Sequence, residues 1–328
     1  MPPHGSQTVR FEFGHEDLLR TRFAISPLTE LVAATYVLRQ PQRFPEHRPW
    51  VETAAAQITD LRVDLLFAVY PLGRAHWPHF TTPAPTRPRP AIEDELARVA
   101  ANDAAVVRAD VHRAFPDGPP AELRPLLDDP RTALPELVDQ MSAFWDAALQ
   151  PSWNRITGFL ESEIVARAHR LVADGGTAAF DGLADTVGWD GRTLTVSRVR
   201  TASQVVPLNG RGLLLIPSVL AFGAWPCIAG PSDPALTYQP PGTADLWLHD
   251  TGTTDDLDHL LGRRRAALLR HLDQPASTAT LARRTGWSPG GINTHLSVLR
   301  RNGLVVRRRC GREVLYTRTP TGNALTRP

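Results

Sequence analysis

From Thr8 to Phe13 the apolar residues Val9, Phe11 and Phe13 alternate with Arg10 and Glu12, the period of a half-buried strand. Helical spacing follows. Ser26 before Pro27 reads as an N-cap and first helical residue, and Leu28, Leu31, Val32 and Thr35 then recur on one face. Pro49 to Tyr70 carries Val51, Ala54, Ile58, Leu61, Leu65 and Leu66, as one long helix or two joined ones. Five prolines between Pro78 and Pro90, with few core residues among them, predict an extended loop. Further helices are expected at Ala91–Phe115, Pro119–Asp128, Leu134–Gln150 and Trp153–Gly175.

After Gly175 the pattern becomes stranded. Thr193–Val199, Gln204–Leu208 and Leu213–Pro217 read as strands, the last two joined through an Asn209-Gly210 turn. Phe222–Ile228 and Leu236–Gln239 extend the same sheet, and Pro240-Pro241-Gly242 ends the domain. The expected fold class is α+β. A mostly helical domain with a small antiparallel sheet spans residues 1–245, its first strand returning to the late sheet, and a winged helix-turn-helix spans residues 253–328.

That second domain is written compactly. Thr254 is a good N-cap, Asp255, Asp256 and Asp258 lie in the first turn, and Leu257 to Leu272 supply an apolar face. Ser277 caps a short helix that Gly286 ends. Ser288-Pro289 caps the next, in which Ile292, Leu296 and Leu299 point inward at i, i+4 and i+7. After Gly303 come two strands, Leu304–Arg309 and Glu313–Thr317, a basic hairpin joined by Cys310-Gly311-Arg312, and then a short helix after Pro320.

Charge sharpens this division. Between Arg263 and Arg318 there are 13 arginines against two acids, a charge of +11, while the rest of the chain sums to −9. A basic end on an acidic body implies a polyanionic partner for the end alone. The second helix of a helix-turn-helix enters the major groove with its amino-terminal half at base edges. Gly290, Gly291, Asn293, Thr294, Ser297 and Arg301 point away from its apolar stripe. Asn293 offers the donor and acceptor that adenine needs, Thr294 a hydroxyl or a methyl for thymine, and His295 lies beside them. The paired glycines allow close backbone approach. Arg283, Arg284, Arg300 and Arg301 suit phosphates, and Arg307, Arg308, Arg309 and Arg312 on the wing suit the next phosphate run or the minor groove. Alternate wing arginines must face opposite ways.

The run from Ser288 through Asn293-Thr294-His295-Leu296 and Leu299-Arg300 to Gly303-Leu304-Val305 resembles the recognition helix of ArsR-type winged-helix repressors. Leu281-Ala282 and Gly311-Arg312 with Tyr316 fit the same family. The resemblance implies a homodimer on double-stranded DNA, reading an inverted-repeat operator. It does not extend to metal sensing, because Ser277–Ala282 holds no Cys-x-Cys pair and Cys310 stands alone. Arg22–Leu31 and Gly212–Ser218 resemble an uncharacterised domain that precedes ArsR-like winged helices in actinobacterial regulators.

The body shows no phosphate-cradling glycine loop, no Gly-x-Ser-x-Gly elbow and no His-Glu-x-x-His. His76-x-x-His79 is interrupted by Trp77 and Pro78, and Asp60 with Asp64 reads as a solvated face. No catalysis, cofactor or metal is expected. Two cysteines make no disulfide framework, and no apolar run reaches 18 residues, so a cytoplasmic protein without a membrane span is expected. Aromatics gather near the proline loop: Trp50, Tyr70, Trp77, Phe80, Phe144, Trp145, Trp153, Phe159 and Trp225. They either fill the core or line a small-molecule pocket, with Tyr70, Trp77, Phe80, Phe144, Trp145 and Trp153 as its candidate walls. Arg155, Glu161 and Arg167 are either its polar anchors or surface charges. The leading expectation is a repressor relieved by a small-molecule effector in the body. An enzyme with an appended DNA-binding domain and a ligand-independent architectural protein are the competing ones.

Overall fold

The alternation at the start of the chain forms strand β1, Thr8–Glu12, with Val9 and Phe11 fully buried. In the computed structural model, which describes residues 7–73, 77–197, 199, 202–228, 233–248, 254–272, 274–310 and 313–326, β1 does return to the late strands. It pairs antiparallel with β4, Thr193–Ser197, and parallel with β5, Gln204–Pro207. Val187–Trp189 (β3) completes the order β3-β4-β1-β5.

The later strands do not extend that sheet. Arg22–Phe23 (β2), Leu214–Pro217 (β6), Ala224–Cys227 (β7) and Ala235–Tyr238 (β8) make a second sheet in the order β2-β6-β8-β7. Both sheets mix parallel and antiparallel pairs, where one small antiparallel sheet was expected. Asn209 and Gly210 take positive φ, 53° and 78°, as their turn requires, but β5 and β6 do not form a hairpin. The reason is burial. All four residues of β6 are buried, so it takes parallel neighbours on both sides, β2 and β8, and the turn carries the chain from one sheet to the other.

Gly212 fixes that crossing. Its φ is +72°, and its N–H donates to the buried Asp17 carboxylate at 2.9 Å. A side chain there would sit 2.5 Å from the backbone carbonyl of Arg20, at the end of helix α1, His15–Arg20.

The other helices of the first unit are α2 (Pro27–Arg39), α3 (Arg48–Gln57), α4 (Asp64–Val69), α5 (Ile92–Ala100), α6 (Ala104–Ala114), α7 (Arg124–Asp128), α8 (Pro130–Phe144), α9 (Trp153–Asp174) and α10 (Asp245–Leu248). Ser26 caps α2 by accepting from the Thr29 N–H at 3.0 Å, and every residue from Pro27 to Val37 is buried. The Pro49–Tyr70 stretch is two helices. The Ala91–Phe115 stretch is also two, because Asp103 caps α6 at the Ala105 N–H, 2.7 Å away, and starts a new helix there.

Several polar groups are buried between these elements. Glu30 on α2 accepts the Val219 and Leu220 N–H groups at 2.5 and 3.1 Å, and burial pushes its carboxyl up to about 7. Glu95 accepts from Ser26 Oγ and the Leu28 N–H, and burial likewise raises it to about 7. His47 accepts the Trp247 indole N–H on Nδ1 at 2.8 Å. Burial outweighs the Glu46 carboxylate 3.9 Å away and pushes this imidazole down to about 4. His47 is therefore neutral in the folded chain, and the unfolded chain alone takes up a proton as pH falls below its ordinary 6.5.

His47 thus contributes stability that is complete above pH 6.5 and lost towards pH 4, by about 3 kcal/mol at most. The two carboxylates act oppositely: their contribution is complete below pH 4.5 and lost as pH rises to about 7. His47→Gln keeps an acceptor for Trp247 and isolates the histidine part. Thermal melts of the variant are expected to hold up better than wild type between pH 6.5 and 4. Parallel pH profiles for the two proteins would refute this assignment.

The chain divides into two units, Met1–Leu248 and His249–Pro328. The second contains α11 (Thr254–Leu261), α12 (Arg263–Arg270), β9 (Ala276–Ser277), α13 (Thr278–Thr285), α14 (Pro289–Arg301), β10 (Val305–Cys310), β11 (Glu313–Arg318) and α15 (Pro320–Thr326). The continuous apolar face expected from Leu257 to Leu272 breaks at Gly262, whose φ of +80° ends one helix and starts the next. Among the described residues, no helix is long and apolar enough to cross a membrane.

Candidate nucleic-acid interface and body cavity

The helix-turn-helix is positioned by its caps and its core. Ser277 Oγ accepts from the Thr280 N–H at the start of α13, and Ser288 Oγ accepts from the Gly291 N–H at the start of α14. Ile292, Leu296 and Leu299 are buried against Leu268, Leu269, Leu272 and Leu281, as their spacing predicts. Burying that stripe turns the opposite side of α14 outward: Gly290, Asn293, Thr294, Ser297, Arg300 and Arg301 are exposed, with Gly291 and His295 half-buried. The wing is the antiparallel pair β10–β11, and β9 extends it to three strands.

Hydrogen bonds refine what each exposed group can offer. Thr278 Oγ1 donates to Asn293 Oδ1 at 3.0 Å, so the first helix of the motif orients the amide of the second. The oxygen keeps a second lone pair and the amide keeps its N–H donors, so bidentate recognition of adenine is preserved. Thr294 Oγ1 instead donates back to the Gly290 carbonyl at 3.1 Å, so its hydroxyl hydrogen is taken, and the exposed side chain offers its methyl group and an accepting oxygen. A methyl contact to thymine is the chemistry this permits.

The arginines divide into ties and outward charges. Arg284 donates to the His271 carbonyl at 3.1 Å, Arg270 pairs with Asp258 at 2.8 Å, and Arg264 stacks over Trp287. Arg318 donates to the Leu272 carbonyl at 3.1 Å and to Thr326, holding the base of the wing. Arg283 lies 3.4 Å from Thr280 Oγ1 and is exposed, as are Arg300 and Arg301. On β10, Arg307 opposes Tyr316 and Arg309 opposes Val314, which puts both on the sheet face that carries Tyr316 to the core. Arg308 points to the other face. Arg312 at the wing tip lies outside the described residues.

The first unit contains a cavity of about 570 Å³. It lies between α2, the proline loop, the end of α6 and the sheet β2-β6-β8-β7, where Tyr36, Trp77, Phe222 and Trp225 form a contiguous ring cluster. Of the six aromatics the sequence offered as pocket walls, Trp77 lines it. Tyr70, Phe80, Phe144 and Trp145 are instead core residues at 1%, 3%, 0% and 5% exposure. Trp153 packs edge-on against Trp145 at 4.9 Å. Their helices pack on one another, so the same apolar spacing that suggested a pocket closes over them. Trp225 does line the cavity, whereas Tyr36 and Phe222 carried no signal distinguishing them from ordinary core.

The suggested anchors lie elsewhere. Arg155 stacks on Trp247, and Glu161 pairs with Arg89 at 2.8 Å. Arg167, fully buried, donates to the Ala179, Asp181 and Gly182 carbonyls and pairs with Glu163. Polar groups that do line the cavity include His79, Arg113, Thr186 and Cys227. His76 lies outside the described residues, and His79 approaches Cys227 Sγ at 3.7 Å through Nδ1. Among the described residues no group of three or more His, Cys, Asp or Glu side chains could hold a metal ion.

A capped helix pair, an outward amide and a basic hairpin define the class: the second unit is a winged helix-turn-helix domain of the kind that DNA-binding regulators carry. Residues 263–308 match the model of a helix-turn-helix domain family, and residues 9–115 match a family of unknown function, DUF5937. No curated protein and no solved structure matches the chain.

Proposed function

We propose that this protein is an ArsR-like transcriptional repressor in the cytoplasm. It acts as a homodimer on an inverted-repeat operator and is relieved when a small molecule occupies the cavity in its body. The body carries out no chemistry in this reading. The observation that carries it is the outward face of α14, where Asn293 and Thr294 stand exposed on a helix whose other side is buried. Two such helices related by a twofold axis reach half-sites about one helical turn apart, roughly 34–36 Å. Occupancy of the body shifts the balance between spacings that fit and do not fit the operator.

The test is selection of bound duplexes from a random pool, followed by titration of the selected and a scrambled duplex at several salt concentrations. A twofold-symmetric selected sequence bound by two chains is expected. Equal affinity for both duplexes removes the claim of sequence-specific regulation. Arg300→Ala is expected to weaken both duplexes alike and to flatten the dependence of log K on log salt by about one unit, as loss of one phosphate contact does. A change confined to the selected duplex would instead place Arg300 at a base.

A further inference from the structure

The cavity in the first unit has a lining selective enough to say what it holds. Tyr36 and Phe222 stack at 4.3 Å between centroids with 24° between planes, and Trp225 meets Trp77 and Phe222 edge-on at 5.0 and 4.7 Å. Such a cluster favours further flat rings, because aromatic pairs gain interaction beyond their buried area that a saturated chain does not. A volume of about 570 Å³ lies within the range of cavities that enclose drug-sized molecules.

Charge sets the other requirement. Arg113 and the imidazole His79 line the cavity, and among the described lining residues there is no carboxylate. Arg113 donates to Asp110 at 3.1 Å, and Asp110 is itself fixed by the Phe80 N–H at 2.9 Å. That pairing holds the guanidinium in place, and a guanidinium has five N–H donors, more than one carboxylate oxygen can take. An anion on the ligand gains a charge-assisted hydrogen bond there. A quaternary cation, the usual guest of an aromatic cage, meets like charge instead. Thr186 Oγ1, also on the lining, is buried with no hydrogen-bond partner among the described residues, and a polar ligand atom would relieve it.

We infer that this cavity takes a planar aromatic molecule carrying an anionic group, its rings on the Tyr36–Trp77–Phe222–Trp225 cluster and its anion at Arg113. The inference deepens the proposal above and rests on its reading of the body as the ligand-binding part of the chain.

Full-length protein is titrated with 8-anilino-1-naphthalenesulfonate, its uncharged analogue N-phenyl-1-naphthylamine, octane-1-sulfonate and tetraphenylphosphonium. One anilinonaphthalenesulfonate is expected per chain, bound about tenfold or more tightly than the aliphatic sulfonate, with no competition from the phosphonium. Arg113→Gln, a change at an exposed side chain, is expected to weaken the anionic probe about five- to tenfold and leave the uncharged probe nearly unchanged. Ala84→Trp, which fills the cavity from the proline loop, is expected to remove both, while a cooperative thermal melt and an unchanged far-ultraviolet circular dichroism spectrum show that the fold is intact.

Tight binding of octane-1-sulfonate or the phosphonium overturns the inference. So does indifference of the sulfonated probe to both variants. Where the probe binds as expected, the selected duplex is titrated in its presence. Release of DNA supports regulation through the cavity. Unchanged DNA affinity leaves the ligand class standing and removes only the relief of repression.

Discussion

Asn293→Ala is expected to weaken binding of the selected operator by about 1–3 kcal/mol, roughly 5- to 150-fold, while scrambled duplex is bound almost as before. The amide is exposed in the amino-terminal half of α14, the part of the helix that reaches base edges in this class of domain. It is also preorganised. Thr278 holds its oxygen at 3.0 Å from the neighbouring helix, so little rotamer freedom is lost when the amide meets a base. Alanine removes both recognition groups and no buried contact, so thermal stability should be unchanged. Thr278→Ala is expected to act in the same direction but less strongly, since it loosens the amide without deleting it. Competition titrations against a set of single-base operator variants read the result. Wild-type discrimination at every position in Asn293→Ala would show that the readout lies elsewhere on the helix.

Gly212→Ala is expected to destabilise the body by about 3 kcal/mol or more, two effects adding at one atom. At a φ of +72° an L side chain is strained, by about 1 kcal/mol for alanine. The new methyl would also stand 2.5 Å from both the carbonyl carbon and the oxygen of Arg20, and backbone cannot rotate away as a side chain can. Relief requires α1 to move, which pulls Asp17 off the Gly212 N–H that it accepts at 2.9 Å. For a unit of this size the loss corresponds to a fall of about 6–12 °C in Tm. Gly73→Ala supplies the control: its φ is +76°, but nothing lies within 4 Å of the added carbon, so it tests conformational strain by itself. If Gly212→Ala melted within a degree or two of that control, the close approach to Arg20 would have no energetic weight.

The winged helix was largely legible because its determinants are short-range. The caps Ser277 and Ser288, the stripe Ile292-Leu296-Leu299 and the strand pair after Gly303 all involve neighbours a few residues apart, and they fix which side of α14 faces out. What escaped there was the break at Gly262, since an apolar stripe continues in register across a bend. The side-chain bonds of Asn293 and Thr294 also escaped, because they depend on how two helices cross. In the body, helix spacing was equally plain, and the alternation of Val9, Phe11 and Phe13 marked a half-buried strand, which the fold pairs with the late strands β4 and β5. The hairpin at Asn209-Gly210 was not formed, although its turn was, because a turn fixes only its own dihedral angles while burial of Leu214–Pro217 on both faces chose its neighbours.

Sequence by itself therefore determined the class of the second domain, the outward residues of its recognition helix and the concentration of positive charge beside them. Only tertiary structure decided the body. It sorted the strands into two sheets, sent Tyr70, Phe80, Phe144 and Trp145 into the core, and assembled a cavity from Tyr36, Trp77, Arg113, Thr186 and Trp225. The physical reason is that periodicity records which side of an element is buried, whereas a cavity is set by what that side is buried against. The cavity residues are scattered between positions 36 and 225 on elements that meet only in the folded chain.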